Sequence, residues 1–296
     1  MTVIDKFKQY KIEEYFPQEE PFYLDVDGET EVFMACYKEK IPVTLKGPTG
    51  CGKTRFVERM SYDLNRPVVR VSKKDGAEDG KKTPLITVPG NEDLTADDLK
   101  GRYLLDGSFQ EGAALIAVKN GGILYLDEIV EARNDTTVVI HPLADHRRSL
   151  VIEKLGKVYE APDNFMLVIS YNPGYQRKVK DLKQSTKQRF GAINFTYPSA
   201  DIEQKIIMHE ANVDEKVAKY LTTVGEKVRN LKGKGLDEGA STRLLINAGK
   251  LIRSGIDPVK ACDVAILNPL TDDIDAYKSI REGLADVVTA YFPGRK

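Results

Sequence analysis

GPTGCGKT is the stretch that decides the fold; it comprises Gly47, Pro48, Thr49, Gly50, Cys51, Gly52, Lys53 and Thr54. The apolar run at residues 41–45 precedes it, and apolar residues with helical spacing follow it at positions 56, 57, 60 and 64. A G-x-x-x-x-G-K-T sequence between a buried strand and a helix is typical of a phosphate-binding P-loop. The stretch therefore predicts a nucleotide site on a parallel α/β sheet.

The residue types in this stretch match the chemistry of a bound polyphosphate. Glycines let backbone N–H groups turn inward around an anion, and the following helix presents its positive end to the same anion. Lys53 is expected to reach the β- and γ-phosphates, and the Thr54 hydroxyl to ligate Mg²⁺. We also include Arg55, the next residue, among the predicted nucleotide-binding residues. The alternative is a glycine-rich turn that matches by accident.

Composition predicts a soluble α/β domain with a smaller appendage. The 296 residues are 41% hydrophobic and carry a net charge of −1, so no general attraction to nucleic acid or to an anionic membrane is expected. The cysteines Cys36, Cys51 and Cys262 are far apart, which predicts neither a disulfide framework nor a zinc site. The first ten residues lack the apolar core of a signal peptide, and no apolar run is long enough for a membrane span. A cytoplasmic protein is expected.

Apolar patterns predict the other elements of the first part of the chain. Strands are predicted at residues 68–72, 123–126, 165–170 and 192–195, and helices at 31–40, 91–100, 113–119 and 136–146. Turn residues predict hairpins near 101–112 and 150–160, and residues 73–82 read as a polar loop. From Pro198 onward apolar residues recur at helical spacing. We therefore predict an α/β nucleotide-binding domain over residues 1–198 and a helical domain over 199–296.

A second half of the nucleotide site is predicted at residues 123–128. Four apolar residues precede Asp127 and Glu128, which is a Walker B pattern. An acid at the carboxyl end of a buried strand faces the crevice where ligands bind. Asp127 is expected to hold Mg²⁺ through its water shell, and Glu128 to be the general base for the attacking water. A strand followed by an acidic helix cap is the alternative.

Three further polar residues are candidates to complete this site. Asn172 follows the next buried strand and could position the attacking water, although Asn-Pro-Gly is also an ordinary turn sequence, which by itself explains it better. Arg189 lies just before the last strand, and Arg243 lies at the start of a helix in the second domain. A guanidinium stabilises charge on a transferring phosphoryl group. Each arginine alone is also explained as a solvated or paired surface charge.

The order of these elements resembles an AAA+ ATPase, and more closely the MoxR group and its CbbQ/NirQ/NorQ family, especially the CbbQ-type members. The resemblance is carried by KGPTGCGKTRFV (46–57), DDLKGRYLL (97–105), YLDEIVEAR (125–133), DTTVVIHPLADHRR (135–148), ISYNPGY (169–175), KQRF (187–190) and EGASTRLL (238–245). It covers nearly the whole chain from about Tyr10 onward. It implies an AAA+ P-loop core with a parallel sheet, followed by a smaller all-helical lid domain.

The resemblance implies a role for each polar candidate. Asn172 resembles sensor 1, Arg189 an arginine finger that reaches a neighbouring subunit's site, and Arg243 sensor 2 on the lid of the same subunit. Arg133, beside the Walker B segment, is a candidate for a second group acting on a neighbour. The hairpins near 101–112 and 150–160 resemble the helix-2 and pre-sensor-1 inserts, which face the central pore of such rings. Plain surface hairpins are the alternative.

Residues 73–90 depart from the family pattern. Members of the family run almost directly from the second strand into a segment like NEDLT, here residues 91–95. The intervening residues form an insertion rich in Gly, Lys, Asp and Pro. We predict this insertion to be a surface loop.

The resemblance also implies ligands, partners and an activity. They are ATP and Mg²⁺, a homo-hexameric ring, ATP hydrolysis, and a CbbO-like partner with a von Willebrand factor A domain. CbbQ-type members activate Rubisco by releasing inhibitory sugar phosphates, whereas the NirQ and NorQ role is maturation of nitric oxide reductase; the sequence does not separate the two. A nucleic-acid-dependent motor is a competing class, against which the net charge of −1 counts. A nucleotide switch that hardly turns over is another, and neither nucleic acid nor membrane is an expected partner.

Overall fold

The computed structural model describes residues 13–15, 19–65, 85–173, 182–233, 236 and 238–292. The predicted strand at 68–72 and polar loop at 73–82 lie outside these residues. The chain divides into two compact units. The first contains most of the chain up to Asn194, and the second contains residues 195–296 together with Phe22–Val26 and Pro48–Gly52. The predicted domain boundary near Pro198 stays a prediction.

A mainly parallel sheet forms the centre of the first unit. The described strands are, in chain order, β1 (Glu13–Tyr15), β2 (Val43–Lys46), β3 (Leu85–Pro89), β4 (Gly101–Tyr103), β5 (Phe109–Glu111), β6 (Gly122–Asp127), β7 (Ser149–Ile152), β8 (Lys157–Glu160), β9 (Phe165–Tyr171) and β10 (Gly191–Asn194). Within the described residues the sheet has the order β1-β3-β6-β9-β2-β10. Strand β1 is antiparallel to β3, and the other pairs are parallel. The predicted fold class is confirmed.

The central strands β6 and β9 follow from their sequences. Apart from Asp127, both strands are buried along their whole length. Strands of a parallel sheet that are covered on both faces read as continuous apolar runs rather than as alternating patterns. For that reason ILYL and FMLVIS were recognisable as strands.

Strand β3 corrects the prediction for residues 73–90. A surface loop is wrong for Leu85–Pro89, which pairs along its whole length with β6 and ends level with Asp127. Ile86 and Val88 are buried in the core. The run LITV is apolar and β-branched, which favours a strand. The polar residues before this run make the strand hard to recognise from the sequence.

Antiparallel pairing of β4 with β5 and of β7 with β8 confirms the predicted hairpins. The first hairpin turns at Gly107 (φ 79°), and the second at Gly156 (φ 59°), backbone conformations that glycine adopts most readily. Lys100 pairs with Glu153 at 2.7 Å and Lys154 with Asp97 at 2.5 Å, which links the second hairpin to the helix before the first. These pairs are largely exposed, so each stabilises the fold only slightly.

Helices cover the sheet of the first unit. They are α1 (Glu29–Lys38), α2 (Lys53–Asn65), α3 (Ala96–Lys100), α4 (Ala113–Asn120), α5 (Asn134–Val139) and α6 (Gln184–Lys187). A reciprocal capping box of Thr95 and Asp98 begins α3. Helix α5 ends before the predicted residue 146. Pro142 lacks an N–H group and disfavours helical backbone at the residue before it, which explains the early end.

The second unit has a core of packed helices. They are α7 (Ala200–Ala211), α8 (Glu215–Arg229), α9 (Thr242–Arg253), α10 (Pro258–Cys262), α11 (Asn268–Leu270) and α12 (Ile274–Tyr291), with a π-helical turn at Asp263–Leu267. Side chains from several of these helices, including Leu221, Val224, Leu245 and Ile266, form one buried cluster. The predicted helical character of this part is confirmed. Across the described residues, no helix combines the length and hydropathy needed to cross a membrane.

Candidate functional site

The carboxyl ends of the parallel strands bring predicted site residues to one edge of the sheet. Lys46, the last residue of β2, pairs with Tyr171, the last residue of β9. The Gly47 N–H then donates to the Tyr171 carbonyl at 3.3 Å. The P-loop therefore begins beside Asn172, which follows β9. Ligands of open α/β sheets bind at this edge.

Asp127 ends β6, on the other side of β9, and accepts two hydroxyl hydrogen bonds. The Tyr125 hydroxyl donates to Asp127 Oδ1 at 2.7 Å, and the Ser170 hydroxyl donates to the same oxygen. Burial, and after it the Asp127 charge, raises the pKa of Tyr125. The predicted metal-site residue Asp127 is therefore held by two hydroxyl donors on one oxygen.

Glu128 has a left-handed backbone, with φ 53° and ψ 41°. A residue other than glycine costs about 1–3 kcal/mol in such a conformation, so its surroundings must hold it there. The Glu128 N–H donates to Ser170 Oγ at 3.1 Å, and the Gly90 N–H donates to the Asp127 carbonyl at 2.6 Å. A Cβ on Gly90 would lie 2.3 Å from the Glu128 carbonyl oxygen. Glycine is therefore required at position 90.

Lys53 begins helix α2, and the residues around it fit a magnesium-bound nucleotide. Lys53 is buried, and its Nζ donates to the Gly47 carbonyl at 2.8 Å. Gly50 and Gly52 have φ of 69° and 102°, conformations that turn backbone N–H groups toward an anion. The Thr54 hydroxyl and the Asp127 carboxylate are hard oxygen donors of the kind that Mg²⁺ prefers.

The positions of Arg55 and Cys51 give less support to their predicted role in nucleotide binding. Arg55 is exposed and pairs with Glu58 at 3.1 Å. Cys51 is buried, with only 7% of the residue exposed. Their assignment to the nucleotide site stays a prediction.

Within the second unit, the P-loop segment Pro48–Gly52 packs against the start of α9. A Cβ on Gly50 would lie 2.7 Å from the Ser241 Cβ and 3.3 Å from the Arg243 Cβ. Arg243 itself is exposed. The Cβ of Arg243, the predicted sensor-2 residue, therefore lies within contact distance of the P-loop segment. Its role as a sensor stays a prediction.

A buried ion pair braces the same helix start. Arg229 of α8 donates to the Glu203 carboxylate of α7 at 2.8 and 2.6 Å, and Glu203 is fully buried. The hydroxyl of Thr242, the first residue of α9, donates to Glu203 at 2.6 Å. The Arg229 guanidinium also lies 4.2 Å from the ring centre of Tyr197, whose hydroxyl donates to the Thr49 carbonyl at 3.2 Å.

Arg229→Met is expected to lower the free energy of unfolding by about 3–5 kcal/mol, because Glu203 would remain as a buried charge without its partner. Urea unfolding of the full chain, followed by circular dichroism, measures this loss. The double variant Glu203→Leu with Arg229→Met removes both charges and is expected to recover most of the stability. Arg253→Met, at an exposed position of α9, is the matched control. A loss for Arg229→Met no larger than for Arg253→Met would contradict this role.

Arg189 lies near the amino-terminal ends of the parallel strands, whereas the P-loop starts at their carboxyl-terminal ends. Gly191, the first residue of β10, pairs with Val43, the first residue of β2, whereas Gly47 follows the last residue of β2. A strand rises about 3.3 Å per residue, so the two edges are roughly 13 Å apart. Within the first unit, the structure does not bring Arg189 to Gly47.

The arginine side chains at 189 and 133 have different local partners. Arg189 donates to the Ser185 carbonyl, and its buried Nε has no acceptor among the residues that the structure describes. Arg133 is exposed, pairs with Asp135 at 3.2 Å, and follows the carboxyl end of β6 by a short 3-10 turn. Roles of both residues toward a neighbouring subunit stay predictions.

Sequence reasoning missed Tyr125, Ser170 and Gly90. A signal for Ser170 was present, because a buried serine in the otherwise apolar strand FMLVISY requires a hydrogen-bond partner. Side chains two residues apart on a strand share a face, which places Tyr125 with Asp127 on β6. The close approach of Gly90 to Glu128 had no local signal.

Comparisons with known proteins agree with this geometry. Residues 42–190 match the AAA domain (dynein-related subfamily), and residues 203–291 match the CbbQ/NirQ/NorQ C-terminal family. Protein CbbQ of Hydrogenophilus thermoluteolus is 52% identical over 90% of this chain and 95% of its own length. Denitrification regulatory protein NirQ of Pseudomonas aeruginosa is 49% identical over 86% of this chain and 92% of its own length. Protein NorQ of Paracoccus denitrificans is 45% identical over 92% and 94%, respectively.

Solved structures support the fold. A RuvB variant of Thermotoga maritima superposes with a TM-score of 0.51 at 15% sequence identity, over 88% of this chain and 71% of that chain. At this identity the likeness concerns the fold and not the activity.

Proposed function

The chain belongs to the CbbQ/NirQ/NorQ family of AAA+ ATPases, and from that premise we propose that it hydrolyses ATP to remodel a client protein. The observation that carries the proposal is the arrangement at the carboxyl edge of the sheet. Buried Lys53 begins the helix after the P-loop, and the hydroxyls of Tyr125 and Ser170 both donate to the Asp127 carboxylate. Glu128 follows Asp127 at the same edge. These are the residue types that ATP hydrolysis requires.

Each residue has a distinct task in the proposed reaction. Lys53 binds the β- and γ-phosphates, and Thr54 and Asp127 hold the metal. Mg²⁺, when bound, neutralises charge on the phosphate oxygens. Glu128 accepts the proton of the attacking water, and Asn172 positions that water. Arg243 acts from the helical unit of the same chain.

We propose that the protein works as a homo-hexameric ring, in which Arg189 serves the neighbouring subunit. Support comes from the position of Arg189 at the amino edge of the sheet, away from Gly47. A ring repeats one heterologous interface, so each subunit can offer its amino edge to the next subunit's nucleotide. An arginine finger supplied by a neighbour is a recurrent device for stabilising phosphoryl charge.

The proposed client is Rubisco, which the ring activates by releasing inhibitory sugar phosphates together with a partner that carries a von Willebrand factor A domain. The 52% identity to the protein named CbbQ favours this client. Maturation of nitric oxide reductase is the second candidate, and it is favoured by the 49% identity to a denitrification regulatory protein.

Activation assays with both clients test the proposal. The ring and its partner are mixed with sugar-phosphate-inhibited Rubisco, and ATP-dependent recovery of carboxylation is measured. In parallel, the same pair is tested for ATP-dependent activation of nitric oxide reductase. Recovery of the reductase but not of the carboxylase would replace the first candidate by the second. Stimulation of the ATPase by DNA or RNA, with a steep salt dependence, would instead indicate a nucleic-acid motor.

Lys53→Ala is expected to weaken ATP binding by about 100-fold or more, because its charge-assisted hydrogen bonds to the phosphates are lost. Isothermal titration calorimetry with ATP measures the affinity. Lys219→Ala, at an exposed position of α8, is the control and should bind like the native protein. An affinity for Lys53→Ala equal to that of this control would remove the P-loop assignment.

A further inference from the structure

Ser170 contacts both acidic residues of the site through one hydroxyl group. It donates to the Asp127 carboxylate and accepts from the Glu128 backbone N–H at 3.1 Å. A hydroxyl has one proton to donate and two lone pairs to accept, so it can make both bonds at once. We infer that Ser170 is a positioning residue that couples the metal-site carboxylate to the general base, with Tyr125 positioning the carboxylate alone. The inference rests on the proposed ATPase function.

The Asp127 carboxylate is held by two donors on one oxygen. Tyr125 donates to Oδ1 at 2.7 Å, and Ser170 donates to the same atom. Tyr125 and Ser170 are both fully buried, so water cannot replace either bond. Hydroxyl groups that fix the rotation of a carboxylate keep it ready for a metal, as second-shell partners do in other sites.

The Glu128 backbone depends on Ser170 for a different reason. Its left-handed conformation is strained, and the hydrogen bond to Ser170 satisfies its N–H group. Asn172 directly follows β9, two residues after Ser170. This one serine therefore holds both the proposed metal-site carboxylate and the backbone of the proposed general base.

Two substitutions separate these contacts. Tyr125→Phe keeps the ring and removes one donor to Asp127, and Glu128 is untouched. It is expected to weaken Mg²⁺ binding by about 10-fold, with kcat at saturating Mg²⁺ within about twofold of native. Ser170→Ala removes the bonds to both acidic residues. It is expected to weaken Mg²⁺ binding by about 10–100-fold and also to lower kcat at saturating Mg²⁺ by about 10–100-fold.

The experiment has a binding readout and a rate readout on the full-length protein. Calorimetry with the non-hydrolysable analogue AMP-PNP, in EDTA and along a Mg²⁺ titration, gives the metal affinity, and steady-state assays give kcat. AMP-PNP affinity in EDTA should be unchanged in both variants. Thr222→Val, which removes a buried hydroxyl bonded to the Ala218 carbonyl at 3.0 Å in α8, is the control and should match the native protein in every readout.

The outcomes distinguish the inference from the function on which it rests. Native metal affinity and kcat in Ser170→Ala, or equal losses of kcat in Tyr125→Phe and Ser170→Ala, would overturn the coupling role. Loss of AMP-PNP binding in EDTA would show that Ser170 is merely structural and would also overturn it. Ser170→Cys, with a weaker donor of similar size, is expected to change both readouts in the same direction, and it decides the matter if Ser170→Ala does not fold. Absence of ATP hydrolysis in the native protein contradicts the proposed function instead.

Discussion

Glu128→Gln is expected to lower kcat for ATP hydrolysis by about 10²–10⁴-fold, the usual contribution of a general base, while ATP still binds. The glutamine amide has nearly the shape of the carboxylate but cannot accept a proton from water. Glu128 lies at the carboxyl edge of β6, directly after the proposed metal ligand Asp127, and its backbone N–H is bonded to Ser170. The variant should therefore keep its fold and its nucleotide and lose the chemical step.

The control for this prediction lies three residues further along the same turn. Glu131 is also exposed, so Glu131→Gln removes the same charge from the same segment and should leave kcat unchanged. Steady-state phosphate release gives kcat, and calorimetry with ATP gives the affinity. A Glu128→Gln variant that hydrolyses ATP within threefold of Glu131→Gln would assign the base to another residue.

Local sequence predicted the parts of the site whose signals are local. The P-loop follows β2 and the Walker B acids lie at the end of β6, two strands that are buried up to their last residue, and such strands read as continuous apolar runs. In a parallel sheet, residues after the strand ends gather at one edge, so the register of β2, β6 and β9 brings Gly47, Asp127 and Asn172 to that edge. The residue spacing within each motif and the sheet topology together determine this part of the candidate site.

Contacts between distant parts of the sequence could not be predicted in this way. Glu203 is bonded to Arg229 and to Thr242, which lie 26 and 39 residues further along the chain. Each of these residues alone reads as an ordinary helix-surface group. Gly90 is similar, because only the packed structure reveals that the Glu128 carbonyl fills the space of a side chain there. The surface-loop prediction at strand β3 was wrong for the opposite reason. The apolar signal of this strand is local, but it is short and follows a long polar stretch.

Arg189→Ala is expected to lower kcat by about 10³–10⁵-fold, the usual contribution of an arginine finger, with ATP affinity unchanged. The matched control is Arg147→Ala, since Arg147 is exposed and pairs with Asp145 at 2.6 Å; it should keep native kcat.

A mixing experiment shows on which chain's nucleotide Arg189 acts. Each site of the proposed ring combines Glu128 of one subunit with Arg189 of its neighbour. In a random equal mixture of Arg189→Ala and Glu128→Gln chains, about a quarter of the interfaces in such a ring therefore contain both native residues. ATPase activity should rise well above that of either variant alone, toward about a quarter of native. If Arg189 served its own chain, every site would lack one of the two residues and mixing would restore nothing. Arg189 lies near the amino-terminal ends of the strands, and Gly47 begins the P-loop at their carboxyl-terminal ends, roughly 13 Å away. This position favours recovery of ATPase activity on mixing.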